Sequence, residues 1–154
     1  SSHSNVHCSR KHPFVAYGCN EHVIYHSYRH VPEQGWNRQD TFTFDIDTVR
    51  TAATYQFALG LRSTDSYPYT VIWLAVEREF SHPDTLHRDT VKCQLMDSVT
   101  HRMGKGIYMY QYDVPLPPMT LHRGQTGQVR IIHLMQREVL PGIHDVGVSS
   151  AAKA

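Results

Sequence analysis

Residues Tyr67–Phe80, reading YPYTVIWLAVEREF, constrain the fold more than any other stretch. The proline ring of Pro68 disfavours a helical backbone at Tyr67. Val71–Val76 then runs without a charge, is rich in β-branched and aromatic side chains, and is too short to cross a bilayer as a helix. That composition predicts a strand in the middle of a sheet, buried on both faces, with Glu77, Arg78 and Glu79 marking the return to water. A central strand requires packed layers, which the rest of the chain must supply.

The remaining sequence reads as more strands. In Thr41–Asp47, Phe42, Phe44 and Ile46 alternate with Thr41, Thr43, Asp45 and Asp47, the period of a half-buried strand. Tyr55, Phe57, Leu59 and Leu61 repeat it, with Gly60 suggesting a bulge or a close approach by another backbone. Further strands are predicted from Val23 to His30, around Val91–Leu95 after a hydrophilic loop HPDTLHRD, over Ile107–Val114, around Val129–Leu134 and over Ile143–Ser149. VPLPPM is an extended, proline-rich connection that cannot sit in a central sheet. About eight short strands, without a convincing amphipathic helix, predict an all-β fold: a two-sheet antiparallel β-sandwich, jelly-roll-like. Residues 1–18 read as a polar tail or leader remnant, 19–150 as one sandwich domain and 151–154 as a C-terminal tail.

The 15 basic and 14 acidic side chains of the 154 residues leave a formal charge of +1, no electrostatic reason to expect a nucleic-acid partner. Three cysteines are too few and too odd in number for a disulfide framework. Cys93 alternates with Val91 and Leu95 and reads as a buried small hydrophobe, while Cys8 and Cys19 could pair with each other or both be free.

No phosphate loop, nucleophile elbow, dinucleotide fingerprint or zinc-protease helix occurs, so no catalytic residue and no cofactor are expected. His22, His26 and His30 recur every fourth residue, but on a strand that spacing holds side chains about 13 Å apart, too far for one ion. They read as exposed edge-strand histidines, and His3, His7, Cys8 and His12 as a loose cluster without defined geometry, so no metal site is expected. Asp45 and Asp47 share a strand face; a hydrolase could use such a pair, whereas a solvated surface is the simpler reading. Tyr108, Tyr110 and Tyr112 share another face: packed in a core, or exposed as the platform of a carbohydrate-binding module.

Several stretches, taken together, resemble one family. YHSYRHVPEQGWNRQDTFTF, LGLRSTDSYPYTVIWLAVE, RDTV, MGKGIY and LPGIHDVGV carry Tyr25, Tyr28, Gly35–Trp36, Leu61–Arg62, Tyr67–Pro68–Tyr69, Asp89–Thr90, Gly104–Lys105–Gly106, Leu140–Pro141–Gly142–Ile143 and Val146–Gly147. In this order they resemble the GldH family of Bacteroidetes lipoproteins associated with gliding motility. The resemblance implies a non-enzymatic cell-envelope lipoprotein, acting through protein–protein contacts in a gliding-motility or type IX secretion-related assembly. It also implies an N-terminal lipid anchor at Cys19, which follows Ala16–Tyr17–Gly18 as in a lipobox, although the residues before it lack the hydrophobic run of a lipoprotein signal. Trp36, Arg62, Tyr67, Tyr69 and Lys105 are the expected partner-surface residues. The Tyr67–Pro68–Tyr69 segment is expected to be a rigid aromatic loop at one rim of the sandwich.

Overall fold

A computed structural model describes residues 2–8, 22–95, 101–103 and 107–153. Thirteen strands lie among them, more than the sequence pattern resolves, because several are only two or three residues long. One sheet orders β1 (Ser2–Cys8), β7 (Thr85–Gln94), β6 (Val71–Phe80), β11 (Gly127–His133) and β4 (Phe42–Ile46). The other orders β2 (His22–His30), β13 (Ile143–Ala152), β5 (Ala53–Thr64), β9 (Ile107–Pro115) and β8 (His101–Met103), with β10 (Met119–Leu121) also paired to β5. A small ribbon joins β3 (Trp36–Asn37) to β12 (Val139–Leu140). The all-β sandwich expected from the alternating strands is the observed fold. The proline-rich run lies at an edge, where β9 stops at Pro115 and the chain resumes pairing with β5 as β10.

β6 is central, third of five, but it is not buried on both faces. Ile72, Leu74, Val76, Arg78 and Phe80 point inward, while Trp73 and Glu79 are exposed and Val71, Ala75 and Glu77 half-buried. The apolar run therefore hides an ordinary alternation, in which Trp73 faces water under Lys92, whose Nζ lies 5.5 Å from its ring. Arg78 corrects the expectation most sharply. It does not mark a return to water but is fully buried.

Arg78 keeps its place because the core supplies partners. One guanidinium nitrogen donates to Asp89 on β7 at 2.9 Å; the other donates to the Pro117 carbonyl, between β9 and β10, at 2.8 Å. The guanidinium carbon also lies 5.5 Å from the Phe57 ring. One side chain thus links both sheets. Around it Phe44, Phe57, Phe80, Leu59, Leu61, Leu74 and Val129 form a single core, each large side chain contributing about 1.5–3 kcal/mol of burial free energy.

Other parts of the chain also depart from the sequence pattern. Ser2–Cys8 is not a tail but an edge strand, paired in parallel with β7 from Ser2 opposite His87 to Cys8 opposite Cys93. Cys93 is buried as expected, yet it is disulfide-bonded, not a free hydrophobe. Thr85–Asp89, within the presumed hydrophilic loop, belongs to β7, and β13 runs on through Ala151 and Ala152, into the presumed C-terminal tail. Gly104–Lys105–Gly106 of the MGKG turn, and Cys19, lie outside the described residues.

Two outcomes test this packing. Asp89→Ala strands a buried guanidinium and should cost about 3–5 kcal/mol in urea denaturation, whereas Arg78→Met with Asp89→Leu should recover most of that loss. The second concerns His133, buried beside Trp36, whose Nε2 donates to the Trp36 carbonyl at 2.9 Å. Burial holds its pKa below the ordinary histidine value; the carbonyl bond opposes that shift and Arg38 reinforces it. The unfolded chain therefore takes up this proton first. The associated stability is present above about pH 6.5 and lost as pH falls through the lower folded-state value. Urea midpoints should fall between about pH 8 and about pH 5, and His133→Gln should flatten that slope.

Candidate functional site

The strands give the sandwich two distinct ends. At one, β5, β2, β11 and β7 finish while β6 and β13 begin; at the other, β2 starts, with His22 opposite Ala152 and Ala152 opposite Tyr55. Most of the motif-bearing residues among the described ones gather at the first end.

Tyr28 is the centre of that end. It lies opposite Gly147 on β13, which lies opposite Gly60 on β5. The ring lies over both glycines: a Cβ on Gly147 would come within 2.6 Å of it, and one on Gly60 would collide with the phenol. Gly60 therefore receives a side chain, not the bulge or backbone approach expected. Arg62 covers the same ring, its guanidinium carbon 4.2 Å from the centroid.

The next row on this face holds His30, Asp145 and Arg62 in register. Asp145 Oδ1 meets His30 Nδ1 at 3.2 Å, its Oδ2 meets His144 Nδ1 at 2.7 Å, and Arg62 stands 3.6 Å from Oδ2. Burial alone would raise the Asp145 pKa, but the bonds to His144 and His30, with the charge of Arg62, outweigh it and hold the carboxyl below its usual range. The two imidazoles meet edge to face, centroids 4.4 Å apart.

His144 reaches this site because the ladder slips there. Ile143 pairs with Ser63 and Asp145 with Arg62, so two steps on β13 match one on β5. Such a bulge re-aims side chains that a regular strand would send to opposite faces. The sequence pattern does not reveal the cluster for this reason, and because the four-residue spacing relates His30 to His22 and His26, not to His144.

The aromatic loop lies at the same rim. Gly142, with φ of +85°, packs directly on the Tyr67 backbone, and its carbonyl accepts from Thr64. Tyr67 is half-buried and donates its hydroxyl to the Val71 carbonyl at 2.8 Å; burial, then the neighbouring Tyr69, raises its pKa. Tyr69 is 42% exposed and meets Tyr67 edge-on at 5.8 Å. Trp36 is fully enclosed between Phe42 and His133, so it serves the core and offers no surface. The exposed large hydrophobic side chains recorded among the described residues, Tyr69, Trp73, Leu134 and Val139, all lie on segments around this end.

The tyrosine face turns the other way. Tyr112 is buried and Tyr110 packs against the core, so neither forms an open platform. Asp45 is exposed and accepts from Gln128, and Asp47 lines a cavity of about 770 Å³ at the opposite end, with Tyr25, Val49, Tyr55, Leu121 and Ala152.

Fold and site define a β-sandwich whose polar and aromatic groups gather on a sheet face and rim at one end. Residues 23–149 match the family of GldH lipoproteins, and the chain belongs to it. This is a family of gliding-motility-related lipoproteins, which implies a membrane-anchored place in the cell envelope, and it is not a known enzyme family. No curated protein matches the sequence. Among solved structures, one described as "CBM4 structure and function" is 14% identical, with 90% of this chain and 81% of that one covered, at a TM-score of 0.35. A subviral particle of the infectious bursal disease virus VP2 protein is 12% identical, with 87% and 41% covered, at a TM-score of 0.19. At such scores neither likeness carries an argument.

The two tyrosines of the loop should separate scaffold from surface. Tyr67→Ala, which removes a packed ring and its hydroxyl bond, should cost about 3 kcal/mol or more, and Tyr69→Ala no more than about 0.5 kcal/mol, in urea denaturation.

Proposed function

We propose that this chain is a non-enzymatic envelope protein, tethered to a membrane through Cys19, that acts by protein–protein contact in a gliding-motility or type IX secretion-related assembly. The observation that carries the reading is the gathering of Tyr69, Trp73, Leu134 and Val139 around the end that also holds Tyr28 and Arg62. Exposed aromatic and aliphatic groups gathered at one end of a sandwich have the composition of a protein-binding patch. The polarity of β2 supports the same arrangement. Its nine residues span about 27–30 Å, so a tether entering near His22 leaves the patch on the far side of the domain.

Processing at a lipobox in front of Cys19 would cut the backbone between residues 18 and 19, separating β1 from the rest of the chain's backbone. The mass of the mature protein from its native host therefore tests the tether directly. A chain starting at a diacylated Cys19 supports it, and an unmodified Cys19 in membrane-extracted material overturns it. For the contact surface, Tyr69→Ala combined with Trp73→Ala should abolish the cross-linked species formed in the host envelope while leaving the circular dichroism of the purified protein unchanged. Unaltered cross-linking by that folded variant overturns the assignment of this end.

A further inference from the structure

We propose that His30, His144 and Asp145 form a binding site for a divalent transition-metal ion, of the zinc, copper or nickel class. Each residue offers one donor atom, and the three atoms lie within 4.8 Å of one another. A tetrahedral ion with bonds of about 2.0–2.1 Å needs its donors about 3.3 Å apart. His30 Nδ1 and Asp145 Oδ1 already stand at 3.2 Å. His144 Nδ1 stands 2.7 Å from the other carboxylate oxygen, Oδ2, so sharing one ion requires the carboxylate or this imidazole to turn as well as open. The remaining closure falls to His30, whose side chain is 60% exposed and free to rotate about χ1 and χ2.

The donor set selects the class. Two imidazoles with one carboxylate suit borderline first-row ions, and not calcium or magnesium, which take oxygen ligands. Three protein donors leave a position open, and the two histidines also line a cleft of about 200 Å³ with Pro32, Glu33, Thr64 and Ser66. That is the layout of an exchangeable site, not of a closed structural one. Arg62, 3.6 Å from Oδ2, works against the ion by sharing the carboxylate charge. Tyr28 holds the guanidinium in that position, so the repulsion is built in and should temper affinity.

The bulge is the second, independent support. It presents His144 beside Asp145 on one side of β13, where an unbroken ladder would part them.

The test is calorimetric titration of the purified protein with zinc chloride, alongside the visible spectrum of the cobalt(II) form. A one-to-one isotherm in the micromolar range is expected. His30→Ala and His144→Ala should each weaken it at least about tenfold and remove the tetrahedral cobalt bands, while His26→Ala leaves both unchanged. Arg62→Gln should tighten zinc binding, an effect that no merely structural role for the cluster produces. Circular dichroism of each variant confirms folding, which exposed His30 makes safe. Absence of an isotherm overturns the proposal; so does an isotherm that survives His30→Ala with His144→Ala, since the metal then sits on other histidines.

Discussion

The two sheets are held in one arrangement by a charge that water never reaches. Arg78 lies on the inner face of β6, is neutralised from β7 by Asp89 and is capped by a carbonyl from the opposite sheet's edge. Burial pushes its pKa down, and Asp89 pushes back. Its Nε finds no acceptor among the described residues. Hydrophobic packing would let two β-sheets slide or rotate over one another at modest cost, but a buried guanidinium permits only positions where its partners are met. The core then closes around that point.

With the sheets so fixed, the ends of the sandwich acquire separate characters. At one, glycines on β5 and β13 make room for the Tyr28 ring, which aligns Arg62, which in turn meets Asp145. The glycine of the Pro141–Gly142 turn admits the Tyr67 backbone by the same logic, since any side chain there would displace the loop. These contacts connect segments far apart in sequence. They explain why Tyr28, Leu61–Arg62, Tyr67–Pro68–Tyr69 and Leu140–Pro141–Gly142–Ile143 belong to one structural unit.

How much of this is legible in the chain depends on whether the information is local. The alternation of Phe42, Phe44 and Ile46, and of Tyr55, Phe57, Leu59 and Leu61, is a property of neighbouring residues, and it leads correctly to strands and a sandwich. Burial of Arg78 is not local, because it depends on Asp89 and Pro117 arriving from elsewhere; nor is enclosure of Trp36, which depends on His133 and Phe42. Tyr69 could be recognised as a rim residue from the proline beside it. The cluster of His30, His144 and Asp145 could not, since a period of two separates His144 from Asp145 and only the slipped register unites them.

That slip adds one residue to β13. Ile143 faces the core with Ser63, and Asp145 lies on the outer face with Arg62, so the ladder would alternate correctly if residue 144 were simply missing. His144 is a supernumerary residue in the strand. Deleting it would keep Val146 and Val148 facing the core, at the cost of the carbonyl that accepts the Val31 N–H at 2.9 Å. The imidazole thus sits on a residue whose removal would leave the facing of the rest of the strand, and the tyrosine–arginine stack beside it, in register.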